Sequence, residues 1–185
     1  ALAEMQERWQ SDLGRLDRVP TVLPLSGDFL LSSTFGVRAD PLTHLPSMHE
    51  GIDFVAPVGT PVLATAAGVV VRAEYAGAYG NMVVVQHNGQ QATVYAHLSR
   101  MQVKRGQSIK QGDVIGAVGT TGLSTGPHLH FEFRVNGIHQ DPQKFARSAP
   151  GAPVNGALRT AFMQQASAAQ AQLAAAALVS QASAQ

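Results

Sequence analysis

The chain has 185 residues, 45% of them apolar and only 14% charged, and its 13 Lys+Arg against 12 Asp+Glu leave a formal charge of +1. That balance excludes an electrostatic grip on nucleic acid or an anionic membrane, which needs clustered Lys and Arg, and no apolar run approaches the roughly 20 residues of a membrane span. The chain contains no cysteine, which excludes disulfides, thiolate zinc sites and cysteine nucleophiles, so any metal must be held by His and carboxylate.

In chain order, Leu2, Met5, Trp9, Leu13 and Leu16 recur at helical spacing and predict one amphipathic helix, with a linker, over residues 1–19. Its first residues, ALAEMQERWQ, do not read as an export leader, so any leader is expected outside this stretch. Residues 20–148 hold nearly all the glycine and alternate short β-branched runs with turn signals, the pattern of a sheet-rich domain. Strands are predicted at 28–32, 51–55, 61–65, 68–75, 81–87, 91–97, 113–118 and 128–135, and the KRGQ and KQGD turns read as paired hairpin corners. Residues 149–185 are a linker and an Ala/Gln-rich segment of high helix propensity, without a charge after Arg159.

Seven histidines stand at 44, 49, 87, 97, 128, 130 and 139. In His49-Glu-Gly-Ile-Asp53, full extension would hold the His and Asp alpha carbons about 13 Å apart, and a bend at Gly51 would bring them to one ion. In His128-Leu-His130-Phe-Glu132-Phe-Arg134, a period of two puts His128, His130, Glu132 and Arg134 on one face and Leu129, Phe131, Phe133 and Val135 on the other. One face is core and the other is chemistry. Strand 91–97 is expected to turn Val94, Ala96 and Leu98 inward and Thr93, Tyr95 and His97 to the opposite side. His44, His87 and His139 read as loop or surface residues. Two imidazoles and one carboxylate with a vacant fourth position form a hydrolytic zinc arrangement; spacing alone leaves open which of His128 and His130 would be the ligand.

The strings HEGIDFVAPVGTPVLATAAGVV, YGNMVVVQHNGQQATVYAHLS, KRGQSIKQGDVIGAVGTTGLSTGPHLHFEFRVNG and DPQKF, in that order, resemble the lysostaphin-type or LytM-type peptidoglycan metalloendopeptidases over about residues 26–146. The resemblance implies a mainly β, compact antiparallel sandwich-like catalytic domain, here with flanking N- and C-terminal α-helices, and one zinc ion in a groove between sheets. It matches His49, Asp53 and His130 to the metal ligands and His97 and His128 to the two catalytic histidines. It adds Arg38 and Asn81 as supporting residues and makes the STGP turn and FGVRADP rims of the groove. The implied activity is hydrolysis of peptide crosslinks or stems of peptidoglycan, of the D-alanyl to diaminopimelate type, in the periplasm of a Gram-negative envelope. The alternative is a non-catalytic envelope regulator of the same fold that activates a wall amidase. The terminal helices are expected to pack on the domain, with self-association, partner docking or, for the C-terminal one, inhibitory cover of the groove as their other uses.

Overall fold

The computed structural model describes residues 18–148 apart from 27 and 40–43. The two expected terminal helices, in residues 1–19 and 149–185, lie almost wholly outside the described residues. The strands are β1 (Leu30–Ser33), β2 (Gly36–Ala39), β3 (Pro46–His49), β4 (Ile52–Val55), β5 (Pro61–Leu63), β6 (Gly68–Tyr75) and β7 (Asn81–Gln86). They continue with β8 (Gln91–Leu98), β9 (Arg100–Met101), β10 (Ser108–Ile109), β11 (Val114–Ala117), β12 (His128–Val135) and β13 (Ile138–Gln140), followed by a short helix α1 (Pro142–Ser148).

One large antiparallel sheet runs β1-β4-β12-β8-β7-β6-β10, and β13 pairs with β12. A second sheet, β5-β11-β9, shares its core: Val62 and Ile115 cluster with Val70, Val83, Tyr95, Leu129 and Phe131. A mainly β, antiparallel two-sheet domain is therefore what the alternation of β-branched runs and glycine turns produces. β12 shows why. Leu129, Phe131 and Phe133 are buried on one face, each contributing about 1.5–3 kcal/mol, and a register slip by one residue would put these three where the imidazoles now stand. Phe145 of α1 stacks on Phe133 with ring centroids 4.0 Å apart.

β8 departs from strict alternation. Tyr95 and Leu98 both belong to the main core, whereas Val94 packs in a separate small cluster with Met82 and Val84. The cause is a bulge: Asn81 opposes Leu98 and Val83 opposes Tyr95, so two residues of β8 face one of β7. His97 takes the extra step with φ of 59°, a left-handed backbone that is uncommon outside glycine and concentrates at functional positions. Tyr95 and His97 do not share a side, contrary to the sequence expectation; the bulge buries the tyrosine and carries the imidazole into the groove.

Five strands were not foreseen. β2 and β3 form an isolated ribbon with Val37 and Met48 exposed, so no buried face writes a pattern into them. β9 and β10 are two residues each and exist through their partners. β13 had a readable signal, Asn136-Gly137, whose φ values of 52° and 77° suit the tight two-residue hairpin turn. His87 is a correction to its expected loop or surface position. It is 2% exposed, with Nδ1 donating to Ala67 O at 2.9 Å and Nε2 meeting Thr93 Oγ1 at 2.8 Å, and burial lowers its pKa. It is a satisfied core histidine.

Candidate metal centre

β3 ends at His49 and β4 begins at Ile52, so the chain breaks its extension at Glu50-Gly51. A Cβ at Gly51 would lie 2.5 Å from Phe131 O and 2.8 Å from His130 Cε1, so only glycine lets the turn press against the β12 ring. The turn brings His49 and Asp53 together, and the β4–β12 register sets His130 opposite Asp53. His49 Nε2 is 3.2 Å from Asp53 Oδ1 and 3.3 Å from His130 Nδ1, and His130 Nδ1 is 2.8 Å from Asp53 Oδ1. All three residues are buried.

The charges in this cluster are mutually dependent. Burial works against an ionised Asp53, yet hydrogen bonds from His130 and His49 outweigh it and hold the carboxyl far below the usual carboxylate range. Burial likewise opposes a charged His130, but Asp53 and Glu132 on either side raise its pKa to about 9. Glu132 is fully buried and bonded on every side: Tyr79 Oη donates to it at 2.8 Å, Arg134 Nε at 2.8 Å, and His130 Nε2 lies 3.1 Å away. Despite desolvation these partners, His130 first, lower its pKa to about 2, while burial and then Glu132 raise that of Tyr79 to about 12.

His97 and His128 stand beside the cluster, their ring centroids 4.6 Å apart. His97 Nδ1 donates to Thr121 O at 2.8 Å and His128 Nδ1 to Gly126 O at 2.8 Å. Each ring therefore turns its Nε2 away from the backbone that holds it; His128 Nε2 is 4.0 Å from Asp53 Oδ1. Burial lowers the pKa of His97, and the nearby His128 and His130 add to the effect against the pull of the Thr121 carbonyl. Asn81 donates from Nδ2 to Leu98 O at 3.0 Å and from its backbone N–H to Thr121 Oγ1. It braces the bulged end of β8 and the loop that holds His97.

His49, Asp53, Tyr79, His97, His128, His130 and Glu132 line one groove of about 690 Å³ whose rim includes Ser124, Thr125, Gly126 and Pro127, together with Arg38 of β2. All five ligand and catalytic candidates thus reach one groove and both expected rim segments contribute to it, while of the two supporting candidates Arg38 lines it and Asn81 stands behind it. Sequence reading missed Tyr79 and gave Glu132 no task. Glu132's place two residues after His130 on one strand face was the available signal; Tyr79 arrives on a short 3₁₀ turn, Gly77–Tyr79, that carries none. His139, also expected at the surface, is half-buried on β13, with Nε2 3.2 Å from Glu132 Oε2 and 3.4 Å from Glu50 Oε2. Glu50, Glu132 and His139 form a second group of metal-type donors, but Arg134 already neutralises Glu132, and its guanidinium would repel a further cation.

Residues 47–142, more than half the chain, match Peptidase family M23. The chain belongs to that family. It is 47% identical over 120 residues to the DD-carboxypeptidase/endopeptidase Mpg of Neisseria meningitidis, the match covering 65% of this chain and 28% of Mpg. The chain thus spans between a quarter and a third of the length of that curated relative. Among solved structures it resembles a zinc-containing peptidase from Vibrio cholerae, at 38% identity and a TM-score of 0.61 over 64% of this chain and 37% of that one. It also resembles the catalytic domain of lysostaphin from Staphylococcus simulans, at 36% identity and a TM-score of 0.60 over 65% and 93%. The latter is matched over nearly its whole length, in line with a LytM-type catalytic domain.

Proposed function

We propose that this chain carries the catalytic domain of a zinc-dependent peptidoglycan endopeptidase that cuts D-alanyl to diaminopimelate crosslinks in the periplasm of a Gram-negative bacterium. The observation that carries this reading is the convergence of His49 Nε2, Asp53 Oδ1 and His130 Nδ1, 2.8–3.3 Å apart, with two further imidazoles alongside. Donors that bind one zinc at about 2.0–2.2 Å in tetrahedral directions stand about 3.3 Å from each other, so this set fits that ion almost without rearrangement. Two imidazoles and one carboxylate are also the donor class of hydrolytic rather than structural sites.

His49, Asp53 and His130 would hold the zinc. When bound, it supplies a Lewis acid and brings the ionisation of water close to neutral pH. The protein's own groups then handle protons and orientation. His97, kept neutral by burial and oriented by Thr121, accepts the proton of the attacking water at Nε2 and returns it to the leaving amine. His128, whose Nδ1–H is held by Gly126 O, donates from Nε2 to the carbonyl oxygen as negative charge develops there, a role filled by its doubly protonated ring. Each role is worth about 10²- to 10⁴-fold in rate. Glu132 accepts a hydrogen bond from His130 Nε2–H and so leaves Nδ1 free toward the ion.

Support for the substrate comes from the family, from a relative named peptidoglycan DD-endopeptidase ShyC of Vibrio cholerae, 48% identical over 114 residues, and from an open groove rather than a closed pocket. Among the described residues no helix is long and apolar enough to cross a membrane. Digestion of purified sacculi, followed by mass spectrometry of the muropeptides, tests the reading. Loss of crosslinked dimers with matching gain of monomers supports it; zinc-loaded protein that leaves the dimers intact refutes it in favour of a non-catalytic envelope regulator.

A further inference from the structure

Among the described residues, Arg38 is the only Arg or Lys that lines the groove. Its Nε is buried and has no hydrogen-bond partner among the described residues. Its Nη2 stands 3.7 Å from Asp53 Oδ2, beyond hydrogen-bond reach, and Asp53 is already held by His49 and His130. A buried guanidinium donor left unmet is costly, and the side chain remains 34% exposed toward the groove. Its position is also fixed relative to the cluster. β2 and β3 pair so that Arg38 faces Ser47 and Gly36 faces His49, which ties the arginine and a donor histidine to one ribbon.

The buried Nε is out of a ligand's reach, but the exposed part of the guanidinium opens on the groove, and its planar fork of N–H donors suits a carboxylate better than any neutral group. The proposed scissile bond supplies one. When D-alanine is joined to the amine of a second D-configured centre, the carbon bonded to the scissile nitrogen bears a free carboxylate. This is so both at a diaminopimelate crosslink and at a terminal D-alanyl-D-alanine. We propose that Arg38 binds this carboxylate and is the residue that selects for it. The inference rests on the endopeptidase reading for its substrate, and it implies that one groove would accept both a crosslink and a peptide terminus, because the two present the same anion at the same place.

The test compares two peptides ending in D-alanyl-D-alanine, one with a free terminal carboxylate and one with a carboxamide. Both are titrated calorimetrically into the zinc-loaded full chain carrying His128→Ala, so that binding is read without turnover. The free acid should bind about 10- to 100-fold more tightly, the range of one hydrogen-bonded charge pair. Adding Arg38→Gln should bring the two peptides to equal affinity while zinc stays at one per chain. An undiminished preference in the Arg38→Gln protein would overturn the proposal. So would loss of zinc on that substitution, which would make Arg38 a brace for Asp53 instead. Sacculus digestion by the unmutated chain is read separately: its failure would sink the peptidase reading, while the carboxylate preference would still decide the role of Arg38.

Discussion

The metal half and the catalytic half of the groove share one way of holding an imidazole, and a single ring of the metal half is reversed. His97 and His128 each donate Nδ1–H to a backbone carbonyl, of Thr121 and Gly126, and His49 does the same to Thr34 O at 2.8 Å. His130 is reversed, with Nδ1 in the cluster and Nε2 on the Glu132 carboxylate. A carbonyl fixes a neutral tautomer with its lone pair on Nε2, whereas a buried carboxylate also strengthens the ring as a donor to a cation. The difference teaches that what stands behind a ring decides which nitrogen it presents, while its distance from Asp53 decides whether that nitrogen joins the cluster, as His49 and His130 do.

The contrast can be broken most severely on the donor side. His49→Ala or Asp53→Ala should reduce bound zinc from one per chain to background and abolish hydrolysis, as read by elemental analysis and sacculus digestion. On the other side, His97→Ala should keep the zinc and lower kcat about 10²- to 10⁴-fold; loss of metal there would merge the two halves. Glu132→Gln, which keeps the shape and removes the charge behind His130, should weaken zinc binding about 10- to 100-fold in a chelator competition.

The protonation states sharpen the comparison further. Glu132 has its pKa lowered from 4.5 to about 2 by folding. A depressed carboxylate contributes stability that is present above its unfolded pKa and is lost as pH falls through the folded one. Its share, about 3 kcal/mol by linkage, should therefore disappear from zinc-free protein between pH 4.5 and about 2, followed by denaturant titration, and Glu132→Gln should flatten that slope. His130 has the opposite sign: raised to about 9, its charged form stabilises the metal-free fold below pH 6.5, and this is lost as pH rises through 9. Zinc must displace that proton, so apparent zinc affinity should climb about tenfold per pH unit between 7 and 9. The smallest expected effect is in the rate profile. With the pKa of His97 below 6.5, the acid limb of kcat/KM should begin below that pH.

Much of this was legible in the sequence wherever a pattern had a buried face to enforce it. β6 and β12 fall where alternation places them, and the resemblance supplied five residues that the fold gathers into one groove. The bend at Gly51 was foreseen from the distance a straight strand would impose. What the sequence hid depended on long-range contacts. The bulge at His97 arises from register against β7, the ribbon carrying Arg38 has no core of its own, and His87 satisfies its ring inside the sheet. The orientation of the HLH pair was equally hidden, since period two places His128 and His130 identically; the β4 register that sets Asp53 opposite His130, with Gly126 behind one ring and Glu132 behind the other, separates them.

Metal content of purified His130→Ala and His128→Ala, measured side by side with the unmutated chain, tests that separation most directly. The geometry predicts one zinc per chain in the unmutated protein and in His128→Ala, and none in His130→Ala. Zinc retained without His130, or lost without His128, would contradict it.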